Sequence, residues 1–250
     1  MNTDAGKTER VGDWCQTFTG RQFWPMDPRA EDVCIEDIAH ALALQCRFAG
    51  HCREPYSVAE HSVRAAEYVR GLGGDAEEVL AALLHDASEA YCIDVPRPLK
   101  PWLAGYKAIE RDVMLAVERW ANLFAGACES PLVKRADEVL LMTEARDLLT
   151  APPAPWGTDQ GGRVAPLAEV IVPWDWRVTE SRFLARFDEL VGGDVARDPR
   201  GLHYHACPNC YRHMPCTEGC TIEGDLCENG VNYGSHARCD DCGPEADHAE

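Results

Sequence analysis

From Ile35 onward, apolar positions recur every three to four residues. In IEDIAHALALQCRF, Ile35, Ile38, Ala39, Leu42 and Cys46 fall on one face, the spacing of an amphipathic helix. SVAEHSVRAAEYVRGLG reads as a second helix. It opens on Ser57 as N-cap, with Glu60 three residues on as its capping-box partner, and Gly71, Gly73 and Gly74 end it. A third helix is predicted from Ala76 to about Ala90. The segment DVPRPLKPW, Asp94 to Trp102, holds three prolines and reads as a loop. Helical spacing returns from about Ala104 to Leu123. It returns again from Pro131 to Leu149, where Ser130 is the cap and proline occupies the first turn. APPAPWGTDQGG is a loop, and Thr179 to Val191 forms a last amphipathic helix.

These elements define a fold class and a division of the chain. Residues 1–34, with TFTGRQFWPMDPRAEDVC, carry glycine, proline and aromatics and read as an extended or hairpin arm. Residues 35–191 read as an all-α domain. GGDVARDPRG begins a linker over 192–202, and 203–250 is poor in apolar residues and rich in cysteine, a second small module.

Composition narrows the classes of function. With 250 residues, 46% of them hydrophobic, the chain can build a real core. No run approaches the ~18 apolar residues of a membrane span, and MNTDAGKTER lacks an apolar signal core. No membrane partner and a cytoplasmic location are therefore expected. The formal net charge of -18 disfavours extended nucleic acid as a partner, because such a surface repels a phosphate backbone. A small anionic substrate would need a local cluster of Arg or Lys.

Thirteen cysteines are unevenly spread, and seven of them lie from Cys207 to Cys242. Two C-x2-C pairs, Cys207/Cys210 and Cys239/Cys242, supply four thiolates, the donor set of a closed structural zinc site. With few apolar residues, this tail would need metal to fold. Cys216, Cys220 and Cys227 with His213 or His236 could hold a second ion. Nine acidic residues from Glu218 to Glu250 oppose only Arg212 and Arg238, which favours a structural cap or protein-contact module over nucleic-acid binding.

The ionisable residues inside apolar helical segments raise a different question. LLHDASEAYCID places His85, Asp86, Glu89 and Asp94 together. Charged groups in an apolar setting need a partner or a metal. His61 in the second helix and Asp137 in VKRADEVLLMTEARDLL sit among apolar neighbours too. His61, His85, Asp86 and Asp137 form a two-nitrogen, two-oxygen set suited to one divalent ion, Mn, Co, Fe, Zn or Mg. His40 is a further candidate ligand, and its neighbours also fit a core position or one behind such a site.

The order His61, His85-Asp86, Asp137 resembles the signature of the HD-domain metal-dependent phosphohydrolases. YSVAEHS, ALLHDASEAYCIDVPRPLK and VKRADEVLLMTEARDLL are similar to the branch holding bacterial 5'-deoxynucleotidases and phage deoxynucleotide hydrolases, including dATP triphosphohydrolases. TFTGRQFWPMDP and IEDIAHALALQCRF look like phage-type members, so the resemblance covers roughly residues 17–190. Cyclic-dinucleotide enzymes of the HD class carry a Gly-Tyr-Pro motif that is not found here. Alarmone hydrolases carry an acidic pair after the HD dipeptide, whereas here Glu89 is followed by Ala90.

The resemblance implies an HD helical bundle and these roles. His61, His85, Asp86 and Asp137 match the metal ligands. Glu89 matches the catalytic glutamate that handles the attacking water, and Asp94 a second catalytic or substrate-positioning carboxylate. Arg47 matches an arginine that contacts the nucleotide, and Lys100 a lysine that meets phosphate. Phe48 stands where the nucleotidases have tryptophan, a departure that bears on base and sugar selectivity. Arg53 and Arg97 are further basic residues nearby in sequence. The implied substrate is a small deoxynucleotide, cleaved as monophosphate or triphosphate, and a homo-oligomer is expected by analogy. The alternative is a non-catalytic nucleotide sensor or adaptor on an HD scaffold with a zinc tail.

Overall fold

The computed structural model describes residues 9–154 and 164–192, and the backbone of four short strands between residues 203 and 227. The chain divides into two units, Met1–Val195 and Ala196–Glu250. The first is predominantly helical. Its helices are α1 (Ile35–Leu44), α2 (Val58–Gly71), α3 (Ala76–Leu84), the single turn α4 (Glu89–Cys92), α5 (Tyr106–Trp120), α6 (Pro131–Leu148) and α7 (Trp176–Val191).

Local chemistry sets most of these boundaries. The Ser57 hydroxyl accepts from the Glu60 N–H at 3.1 Å and starts α2. The expected capping box is only half formed there. The fully buried Glu60 carboxylate turns instead to Arg64 at 2.7 Å and to the Trp174 N–H at 2.8 Å. A complete box opens α3, where Asp75 accepts from the Glu78 N–H and Glu78 from the Asp75 N–H. Ser130 caps α6, with Pro131 at its first position. α7 begins earlier than the apolar spacing suggests, because the Asp175 side chain accepts from the Arg177 N–H at 3.0 Å.

α2 is the central element, packed against α1, α3, α6 and α7. Its Ala59, Val63, Ala66 and Val69 are buried, as are Leu83 and Leu84 at the end of α3. Each such Leu or Val stabilises the fold by ~1.5–3 kcal/mol.

The third helix departs from expectation. It does not run to Ala90 but ends at Leu84, and His85 and Asp86 lie in a tight turn before α4. There the hydrogen bonds shorten to the i to i+3 pattern: Ala87 N–H to Leu84 C=O at 2.9 Å and Glu89 N–H to Asp86 C=O at 3.0 Å. Over one turn, periods of 3.0 and 3.6 residues differ too little for apolar spacing to reveal the change.

The N-terminal arm contains the hairpin β1 (Cys15–Gln16) and β2 (Gln22–Phe23). It docks on α1 through Asp37, which accepts from the Thr19 N–H at 2.7 Å. Buried Phe23 stacks on Tyr91 of α4 with ring centroids 3.8 Å apart. In the second unit, β3 (His203–Ala206) pairs antiparallel with β4 (His213–Cys216), and β5 (Ile222–Glu223) with β6 (Leu226–Cys227). Cys207, Cys210, Cys239 and Cys242 lie outside the described residues, as do the side chains of Cys216, Cys220, Cys227, His213 and His236. Among the described residues no helix is long and apolar enough to cross a membrane.

Candidate metal centre

Three elements, α2 among them, converge at the site. His61 projects from α2, His85 and Asp86 from the turn after α3, and Asp137 and Glu144 from α6. His61, His85 and Asp86 offer ligand atoms all within 4.8 Å of one another. The His61 and His85 Nε2 atoms are 3.2 Å apart, and His85 Nε2 lies 3.3 Å from Asp86 Oδ2. Asp137 sits at the edge of this group, its Oδ1 3.3 Å from His61 Nε2.

The other ring nitrogens decide what the cluster can hold. His61 Nδ1 lies 2.6 Å from Glu144 Oε1, and His85 Nδ1 lies 2.8 Å from the Ala82 carbonyl. A carboxylate and a carbonyl can only accept, so both Nδ1 atoms carry hydrogen. Both Nε2 lone pairs then face the same small space beside Asp86. Two imidazoles fixed this way by outer partners are the usual arrangement of metal-ligating histidines. A divalent ion fits this donor set.

The electrostatics agree. Burial and the nearby Arg47 lower the His61 pKa, but the Glu144 and Asp137 carboxylates outweigh them and raise it. Burial likewise lowers that of His85, and Asp86 more than reverses this, raising it to about 9. Burial opposes ionisation of Asp86, yet His85, His61 and Arg47 hold its pKa well below the ordinary range. Asp137, also opposed by burial, is brought down to about 2 by His61. Without metal, then, the cluster keeps a proton on imidazole, and an incoming cation would displace it.

Arg47 closes one side. Its Nε donates to Glu144 at 3.1 Å, and its two terminal nitrogens lie 3.3 Å from Asp86 and 3.9 Å from Asp137. Next to it Phe48 (φ 55°) and Ala49 (φ 51°) adopt the left-handed conformation, uncommon for non-glycine residues. Arg97 reaches Asp137 at 3.5 Å. On the other side Glu89 is buried, with Oε1 3.6 Å from Lys100 and Oε2 without a partner. Burial, then the charges of Asp86 and Asp94, push the Glu89 pKa well up. Asp94 is raised too, chiefly by burial. Lys100 makes its shorter contact, 2.6 Å, to Glu110.

Not every histidine joins the cluster. His40 stacks on Phe18 at 3.7 Å and meets Glu180 through Nδ1 at 3.2 Å. It lines a cavity of about 390 Å³ under the hairpin, with Asp37 and Tyr91, that contains none of the cluster residues. Glu144 is the residue that the motifs overlook. Fully buried, it joins His61, Arg47 and the Tyr56 hydroxyl, which donates to it at 2.9 Å. The available signal was its spacing, two helical turns after Asp137 and on the same face of α6.

Fold and site together define an all-α domain with a buried His/His/Asp cluster that could bind a metal and serve a hydrolytic reaction. The chain matches no family model. It is 36% identical over 177 residues to YfdR, an uncharacterized protein of Escherichia coli strain K12, covering 70% of this chain and 94% of YfdR. It is also 36% identical over 143 residues to an uncharacterized protein of Rhodobacter capsulatus, covering 54% of this chain and 72% of that relative. The chain belongs to the family of YfdR.

Proposed function

We propose that the chain is an HD-type phosphohydrolase that cleaves phosphate from deoxynucleotides. One observation carries the reading: two imidazoles locked at Nδ1 turn their Nε2 atoms into one space 3.2 Å across, beside Asp86. His61, His85, Asp86 and Asp137 would hold a divalent ion, Mn, Co, Fe, Zn or Mg. Such an ion makes water nucleophilic near neutral pH and polarises a phosphoryl oxygen.

The remaining work falls to the protein. Glu89 is buried beside the cluster with Oε2 unpartnered, so that oxygen can take a proton from the attacking water. Burial raises its pKa, which makes the ionised carboxylate a stronger base than an ordinary glutamate. Asp94 orients the substrate. Arg47 and Lys100 neutralise phosphate oxygens by charge-assisted hydrogen bonds, and Phe48 shapes the base and sugar pocket. In the tail, Cys207, Cys210, Cys239 and Cys242 would hold a structural zinc ion. A nucleotide panel with Mn, Co, Mg and Zn tests the reading. Orthophosphate from monophosphates marks a 5'-deoxynucleotidase, and tripolyphosphate marks a triphosphohydrolase. Binding without release across the panel would instead establish a nucleotide sensor.

Glu89→Gln should separate stability from activity. Because burial raises the Glu89 pKa, the folded protein holds a proton that the unfolded chain releases above about 4.5. Stability is therefore lost as pH rises from there through the raised folded value. Glutamine removes that loss. In chelator-treated protein the variant should match wild type near pH ~4 and become the more stable of the two as pH rises. Turnover should fall by about 100-fold or more. Urea melts across this pH range check the first point, and a variant less stable at the higher pH would contradict it.

A further inference from the structure

Glu89 and Asp94 stand at the two ends of one turn. Between them the chain passes through Ile93 at φ 65° and ψ 148°, a region used almost solely by glycine. A β-branched residue is held there only where its surroundings over-determine the backbone. Two side chains do so. The Tyr106 hydroxyl from α5 donates to the Ile93 carbonyl at 2.7 Å. Gln45, the first residue after α1, reaches both ends of the turn. Its Nε2 donates to the Glu89 carbonyl at 3.0 Å, and its Oε1 accepts from the Asp94 N–H at 3.0 Å. A carbonyl can only accept and an N–H only donate, so these partners set the orientation of the amide.

The backbone of Gln45 is itself anchored. Its N–H bonds the Ala41 carbonyl at 3.2 Å, and its own carbonyl accepts from the Val58 N–H at the start of α2 at 3.0 Å. One residue thus links the end of α1, the helix bearing His61 and the turn bearing two carboxylates. Arg47 follows two positions later. We propose that Gln45 is a positioning residue whose amide sets the separation and aim of Glu89 and Asp94, holding the turn against the strain at Ile93. This rests on the phosphohydrolase reading. Gln45 acts through the turn it clamps and is not itself a catalytic group.

The test uses the full chain loaded with Mn²⁺, with dAMP and dATP as probes and kcat and KM measured separately. Gln45→Ala and Gln45→Met remove the amide, and methionine keeps the packing volume if alanine folds poorly. Both should lower kcat by about 10–100-fold, since displacements near 1 Å have effects of that size, with KM within about twofold. The Asp94 amide, freed from its acceptor, should exchange hydrogen faster than in wild type. Adding Ile93→Gly to either variant should restore most of kcat, because glycine adopts this conformation without a clamp. A purely structural role would lower thermal stability, leave kcat per folded molecule unchanged and show no recovery with glycine. Unchanged kcat, or no recovery, overturns the proposal. If wild type releases no phosphate from any nucleotide, the phosphohydrolase reading fails, and exchange at Asp94 then decides the clamp: faster supports it, unchanged removes it.

Discussion

Asp86→Ala or His85→Ala should strip the protein of bound metal and of phosphate release together. Asp86 Oδ2 contacts His85, His61 and Arg47, so its removal takes one donor and the charge that balances the others. Outer partners of metal ligands alone are worth ~10–100-fold in affinity, and loss of a ligand should exceed the upper end of that range. Metal at a hundredfold excess over its Kd should stabilise wild type by about 2.7 kcal/mol, a rise of ~5–10 °C in Tm. The variants should show little rise. Metal content after gel filtration, metal-dependent Tm and phosphate release check all three. A variant that keeps wild-type turnover would remove His85 and Asp86 from the chemistry.

Glu144→Ala should have the largest effect on folding. The carboxylate is fully buried, and three donors converge on it: His61 Nδ1, Arg47 Nε and the Tyr56 hydroxyl. Burial opposes its ionisation, and Arg47 and His61 together hold its pKa below the ordinary range. Removing one member of a buried ionic group costs about 3–5 kcal/mol, because the partners stay buried without an acceptor. That corresponds to a Tm lower by ~6–20 °C. His61 would also lose the bond that fixes its tautomer, so metal affinity should fall by ~10–100-fold even where the protein still folds. Glu144→Gln should fall between the two, because the amide keeps one acceptor oxygen but loses the charge. Thermal melts and metal titrations of both variants distinguish the effects. Equal stability of the alanine variant and wild type would show that Glu144 is not the hub of this cluster.

Apolar periodicity located α1, α2, α5 and α6 because a helix that buries one face must repeat its apolar positions. The motif residues were visible for a related reason: His61, His85, Asp86 and Asp137 are ionisable groups in apolar stretches. The break after Leu84 was not legible, since a few residues of tighter hydrogen bonding leave almost no trace in that spacing. Nor was the destination of Glu60, whose side chain obeys Arg64 and Trp174 and not the local capping pattern.

The residue types and their order were thus enough to nominate an all-α domain and a metal-ligating set. Tertiary structure alone decided that Glu144 sits behind His61, that Gln45 bridges Glu89 and Asp94, and that Arg47 spans three carboxylates. The reason is physical. Helix formation and amphipathic burial depend on neighbours a few positions apart, which the sequence records directly. A hydrogen bond between α1 and the turn after α4, or between α2 and α6, depends on angles and distances set only when the helices pack. Those long-range contacts hold the imidazole nitrogens and the carboxylates of Glu89 and Asp94.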